Sequence, residues 1–346
     1  MFADRIEGKW ILMFRDFLVA SGVTQDSLVG IICETQSREL NVHLAELALG
    51  IIGARSFKLV STTPRVTTVV PTRSTGTSAS MSGLGPIIRG LSPCDLILDL
   101  TIEGMLHSPE LHEILATGSK ALYVLNEHPE ALERLDLGTD GISTTLRNAE
   151  IIEKGNMMRV TSAAGTDLTV EMKGGHPVAI TGIVDKPGSL GHWPGGLVAI
   201  TPPAGCANGK IVVNVGDMNC TFKRYLERPM TLHIENDVIV QVDGDGVDAE
   251  LFRSYSAAWN EVNAMTTAHF GWGTNRHARW ESMAMYDKSD TNGIEARTFA
   301  GNFLVGIGAS HVAHRETQNH FDLPLRNTTV HVDGKLIVDQ GNLCIV

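Results

Sequence analysis

Near residue 150 the texture of this chain changes from alternating strand and helix signals to a succession of short strands and turns, and this constrains its fold more than any other feature. Residues 6 to 20 have helical periodicity, and SLVGIICE (27 to 34) is a compact apolar run suited to a buried parallel strand. SRELNVHLAELALGIIGA (37 to 54) predicts a second helix ending near Gly53, and SFKLVSTT (56 to 63) a second strand. CDLILDLT (94 to 101) and KALYVLNEH (120 to 128) predict strands flanking a helix over 108 to 118 with Ser108 as its N-cap. Such alternation implies an open parallel α/β sheet. Past residue 150, MMRVTSA, DLTVEMKG, GKIVVNVG, MTLHIEND and VIVQVDGDG are β-rich, and TTVHVDGKLIVDQGNL predicts a hairpin around Asp333 and Gly334. At 346 residues the chain exceeds one small core. Two domains are expected: an α/β domain over 1–150, and a mainly antiparallel, β-rich domain over 151–346 that carries the catalytic site.

The charge narrows the partners. With 28 Lys and Arg against 39 Asp and Glu the formal charge is −11, which repels polyanions, so nucleic acid is not an expected partner. The N-terminal segment mixes charges into its apolar residues and reads as an amphipathic helix rather than a signal peptide. No run approaches the roughly 20 apolar residues of a membrane span, and a cytoplasmic protein is expected. The five cysteines show no CxxC spacing, so reduced, mostly buried thiols are expected. TRSTGTSASMSGLGPI (72 to 87) suits a mobile loop or lid, and it contains neither GxGxxG nor GxxxxGK[ST].

Among thirteen histidines, those in Gly, Trp and Pro-rich surroundings carry the chemical signal. NHFDLPLRN places His320 and Asp322 two apart, so an extended backbone turns both to one face and lets them chelate one ion. AHFGWGTNRHARW supplies a third ligand, His269, beside two glycines that let the backbone bend closely around a bound object. Two imidazoles and a carboxylate leave open coordination positions, as in non-heme iron(II) oxygenases, although catalytic zinc accepts the same set. His192, in the turn-like GHWPGG, suits an acid or base. His107, in MLHSPE, falls between a strand and a helix, at the sheet edge where ligands gather. Arg297 in EARTFAGNF, or Arg326, could orient an anionic oxygen. The ordinary alternatives are a hydrogen-bonded structural histidine and a surface ion pair.

Taken in order, LHSPELHEILATG, GHWPGG, AHFGWG, RTFAGNFL and HFDLPLRN resemble the 2,5-dihydroxypyridine 5,6-dioxygenases of nicotinic acid degradation. The resemblance implies a fold similar to the M29 aminopeptidases, and one Fe(II) per chain on His269, His320 and Asp322. It further implies His107 and His192 as acid and base, Arg297 as a substrate contact, and a homo-oligomer, a hexamer in this family. The implied reaction is extradiol-type ring cleavage by O2 that yields N-formylmaleamate. Two departures bear on the substrate: Ile180 or Thr181 stands where the family carries an acidic residue, and Gly306 where it carries a serine. A differently substituted hydroxypyridine is therefore open. The rival is an M29-like zinc hydrolase with two bridged metals, disfavoured because Trp, Pro and Gly surround His192 in place of bridging glutamates.

Overall fold

The computed structural model describes residues 3–65, 70 and 76–345. Its first layer is a parallel sheet of five strands in the order Arg55–Ser61, Leu28–Glu34, Leu96–Asp99, Lys120–Val124, Leu190–Trp193. Leu96–Asp99 is buried at every position, as a strand covered on both faces must be. The helix Gly8–Ala20 buries Trp10, Phe14, Phe17 and Leu18, the stripe that helical spacing places on one side. Phe17 stacks on Trp193 at 4.4 Å between ring centroids. The helix Glu39–Ile52 ends at Gly53, whose φ of 82° closes the last turn through a bond from its N–H to the Leu49 carbonyl. The fifth strand, Leu190–Trp193, comes from well beyond residue 150, so the chain crosses back into this sheet.

Most of the remaining chain forms two packed antiparallel sheets. An eight-stranded sheet, from Val238–Asp243 at one edge to Asn342–Leu343 at the other, includes the expected hairpin of Thr328–Val332 and Lys335–Asp339. The five-stranded partner runs Arg315–Leu325, Phe303–Ser310, Thr267–Gly273, Leu197–Thr201, His176–Ile180. Between them lies the main core, with Val160, Leu168 and Ile211 on one side and Phe270, Trp272 and Phe321 on the other. Side chains alternate across a strand, so the residues between these point away from the core. That second face is also covered, and Phe303–Ser310 is accordingly buried throughout.

Two local expectations are corrected. Ser108 does begin the helix Pro109–Leu115, but its hydroxyl donates to the Ser78 carbonyl at 2.7 Å and does not cap the helix. A helix over Gly138–Lys154 forms where none was expected. Of the Ser- and Thr-rich run, residues 72–75 lie outside the described residues, and from Gly76 onward the backbone bonds to Glu103 and Gly104. Among the described residues no helix is long and apolar enough to cross a membrane.

Phe321 is fully buried against Phe252, Tyr255 and Phe222, with ring centroids 4.8, 5.1 and 5.6 Å away. Phe321→Ala should destabilise the chain by about 3–5 kcal/mol in urea unfolding, through lost burial plus the cavity left behind. A loss below about 1 kcal/mol would show that this ring does not hold the strand.

Candidate metal centre

Three neighbouring strands build the centre. His269, Gly306 and Asp322 lie in one row across them, since His269 pairs with Gly306 and Gly306 with Asp322. His320 lies one pleat away on the same face as Asp322, opposite Gly308. The two outer side chains of the row must lean over the central position to meet, and the central residue has no side chain. A Cβ on Gly306 would stand 2.2 Å from Nε2 of His269.

The donors converge as a result. His269 Nε2 lies 3.4 Å from His320 Nε2 and 3.4 Å from Asp322 Oδ1, and His320 Nε2 lies 3.5 Å from that oxygen. A triangle with such edges has its corners about 2.0 Å from its centre (3.4/√3), and metal–imidazole bonds run roughly 2.0–2.1 Å. His320 Nδ1 sits 3.1 Å from the Ala309 carbonyl, an acceptor only, so this nitrogen carries the proton and Nε2 presents its lone pair. Arg297 Nε donates to Asp322 Oδ2 at 2.6 Å, while Oδ1 is buried with no hydrogen-bond partner. Burial alone would raise the Asp322 carboxyl, but Arg297 and then the two imidazoles hold it well below the usual carboxylate range. An ionised, unpartnered oxygen facing two imidazole nitrogens, that of His320 with its lone pair inward, is complementary to a cation.

His107 and His192 line the same cavity of about 230 Å³ as the three donors and Arg297. Six of the side chains singled out in the sequence are therefore brought together, and Arg326 is not among them. His107 follows the strand Leu96–Asp99, and its ring lies 4.8 Å from that of His320. Burial, then His320 and His269, lowers its pKa well below the ordinary imidazole value. His192 donates from Nδ1 to the Pro194 carbonyl at 2.8 Å, which leaves Nε2 as an acceptor. Burial lowers its pKa to about 4, so it is neutral at pH 7.

The family model described as 2,5-dihydroxypyridine 5,6-dioxygenase matches residues 9–345. This chain belongs to that family. A 2,5-dihydroxypyridine 5,6-dioxygenase of Pseudomonas putida (strain KT2440) is 34% identical over 257 residues, covering 74% of this chain and 72% of the relative. The solved structure of 2,5-dihydroxypyridine dioxygenase from Pseudomonas putida KT2440 superposes with a TM-score of 0.91 at 29% identity, over 100% of this chain and 99% of that one. Wild-type AmpT from Thermus thermophilus, at 11% identity and a TM-score of 0.64 over 97% and 99% of the two chains, shares the fold alone.

Some placements within this family member differ from expectation. His192 and His269 both stand on strands, Leu190–Trp193 and Thr267–Gly273, and not in turns. The glycines after His269 serve strand packing: a Cβ on Gly271 would lie 2.0 Å from the Val198 carbonyl oxygen. Arg297 grips the Asp322 carboxylate and, through Nη1, the Asn292 carbonyl at 2.6 Å. Arg326 lies elsewhere, its guanidinium 4.0 Å above the Trp280 ring. Sequence reasoning missed Glu127, whose Oε1 accepts the N–H groups of Asn292 and Ile294 at 2.9 and 2.8 Å. Glu127 thereby secures the start of the short helix Ile294–Thr298 that carries Arg297. Its one signal is its place just after the strand Lys120–Val124, at the carboxyl edge of the parallel sheet.

Arg297→Met should weaken metal affinity about 10–100-fold, the usual scale for a lost partner of a ligand, with the circular dichroism spectrum unchanged. Competition against a fluorescent chelator measures it, and an affinity equal to wild type would remove Arg297 from this role. Gly306→Val should prevent stoichiometric metal binding, read as metal per chain after dialysis.

Proposed function

We propose that this chain is an Fe(II)-dependent, extradiol-type dioxygenase that opens 2,5-dihydroxypyridine or a closely related hydroxypyridine between ring carbons 5 and 6, giving N-formylmaleamate. The observation that carries this reading is the buried, unpartnered Asp322 oxygen facing two imidazole nitrogens at the wall of a cavity that also holds two neutral histidines. His269, His320 and Asp322 would hold the ion. When bound, Fe(II) supplies the electron conduit through which dioxygen reacts with a closed-shell ring.

The protein residues do the rest. Arg297 keeps Asp322 ionised and fixes its orientation through the Nε bond at 2.6 Å. His192, neutral with Nε2 free to accept, takes the proton of a ring hydroxyl and raises electron density on the carbon to be attacked. The proton that His192 has taken goes back to the opened ring, with His107, beside His320, as the second imidazole able to relay it. The apolar parts of the wall exclude water from the reacting atoms. The same reading includes a homo-oligomer, supported by the edge strand Arg55–Ser61, which leaves Phe57 and Val60 in solvent.

Anaerobic reconstitution with iron followed by oxygen-uptake assays on 2,5-dihydroxypyridine should give one O2 consumed per ring opened. Two zinc ions per chain with peptide cleavage and no oxygen uptake would establish the hydrolase instead. His192→Ala should keep its iron while turnover falls about 10²-fold or more. With a pKa of about 4, His192 is the competent base above that value and loses its role only as pH falls through it. The wild-type kcat/KM profile should therefore show no step near pH 6.5 that His192→Ala removes.

A further inference from the structure

The floor of the cavity changes character with distance from the metal ligands. Two residues on from His269 along the same strand face is Gly271, in register with Ala199 on one side and Leu304 on the other. Of these, Ala199 and Leu304 line the cavity. Past this row, Ile180 pairs with Leu197 and Val178 with Ala199, and Ile180, Leu197 and Leu304 form a hydrophobic cluster distinct from the main core. Leu190, from the parallel sheet, also lines this cavity.

Volume and charge restrict what can sit there. A cavity of about 150 Å³ is enough to hold a benzene, and this one measures about 230 Å³. The excess must also hold two ring hydroxyls, the ion and dioxygen, so any substituent has to be small. Among the described lining residues the one Arg or Lys is Arg297, which already bonds to Asp322 and the Asn292 carbonyl, and Glu103 adds a carboxylate. A carboxylate on the remote edge of the ring would lose its hydration against branched aliphatic side chains, with no Arg or Lys beyond Arg297 among the described lining residues to meet it. An alkyl group there would gain burial.

We propose that the hydroxypyridine this chain takes carries a short alkyl substituent on the ring edge remote from the metal, received by Ile180, Leu197, Leu190 and Leu304, and that a carboxylated ring is refused. This deepens the function proposed above and rests on it. The probes are 2,5-dihydroxypyridine and its 3- and 4-ethyl and 3- and 4-carboxy derivatives, titrated calorimetrically into the Fe(II)-loaded enzyme without oxygen and then assayed for oxygen uptake. One ethyl isomer should bind roughly tenfold or more tighter than the parent, the scale of a methylene filling an apolar pocket. Neither carboxy isomer should bind measurably.

Ile180→Glu should erase that preference while iron per chain stays at the wild-type level, a content that general disruption of the site would lower. Ile180→Ala, the milder change, should reduce the preference severalfold if the glutamate variant does not fold. A parent compound bound as tightly as both ethyl isomers, or a carboxy isomer bound as well as the parent, overturns the proposal. Absence of oxygen uptake with every compound, alongside the expected order of affinities, would sink the dioxygenase reading and leave this one standing.

Discussion

The bond between Arg297 and Asp322 is the interaction on which the rest of the site depends. It ties up one carboxylate oxygen and turns the other toward two imidazoles. Charge gives it a second consequence. A guanidinium and a carboxylate largely cancel, so a divalent ion held by two neutral histidines and Asp322 would keep most of its charge for substrate oxygens. Were the arginine absent, Asp322 would offset half of that charge. The buried pair is thus better understood as setting the field at the metal than as a source of stability, which buried ion pairs seldom supply.

This arrangement requires a sheet covered on both faces. Phe303–Ser310 and the second half of Arg315–Leu325 send Phe303, Val305, Phe321 and Leu323 into the sandwich core. Their alternate positions hold Leu304, Gly306, His320 and Asp322 toward the cavity, against residues contributed by the parallel sheet. Rigidity comes from the first set and chemistry from the second, one residue apart. The parallel sheet contributes control as well as cover. Glu127, at its edge, holds the backbone that presents Arg297, so a displacement between the layers reaches the metal ligands through two hydrogen-bonded steps.

What the sequence reveals of this follows the range of the interaction. His320 and Asp322 were legible because their pairing depends only on the two-residue period of a strand, and Gly53 because a helix end needs a local left-handed residue. The side chain of His192 was recognised, but its neighbours Gly191 and Pro194 suggested a turn, whereas strand pairing with Tyr123 decides its backbone. Gly306 was noted only as a departure from the family's serine, because its place beside His269 depends on register across three strands, and Glu127 was missed because its partners are more than 160 positions away. The helix Gly138–Lys154 escaped notice for another reason. Its buried face is mostly polar, with Thr144, Thr145 and Asn148, and Asn148 accepts from Trp272 Nε1 at 2.9 Å. Apolar periodicity cannot reveal a helix whose inward side chains are chosen for hydrogen bonds.

The likeness of fold to AmpT shows that the fold alone does not fix the reaction, and the charges around this site favour a single ion. Two divalent ions a few ångströms apart repel strongly, and hydrolases that hold such a pair neutralise it with several carboxylates. Among the described residues that line this cavity there are two carboxylates, Asp322 and Glu103, and Asp322 is already shared with Arg297. His269, His320 and Asp322 are the sole described group of three or more metal-ligating side chains with donors close enough to hold an ion. What surrounds them is imidazole, guanidinium and aliphatic carbon, a setting that would suit one ion open toward an organic ring.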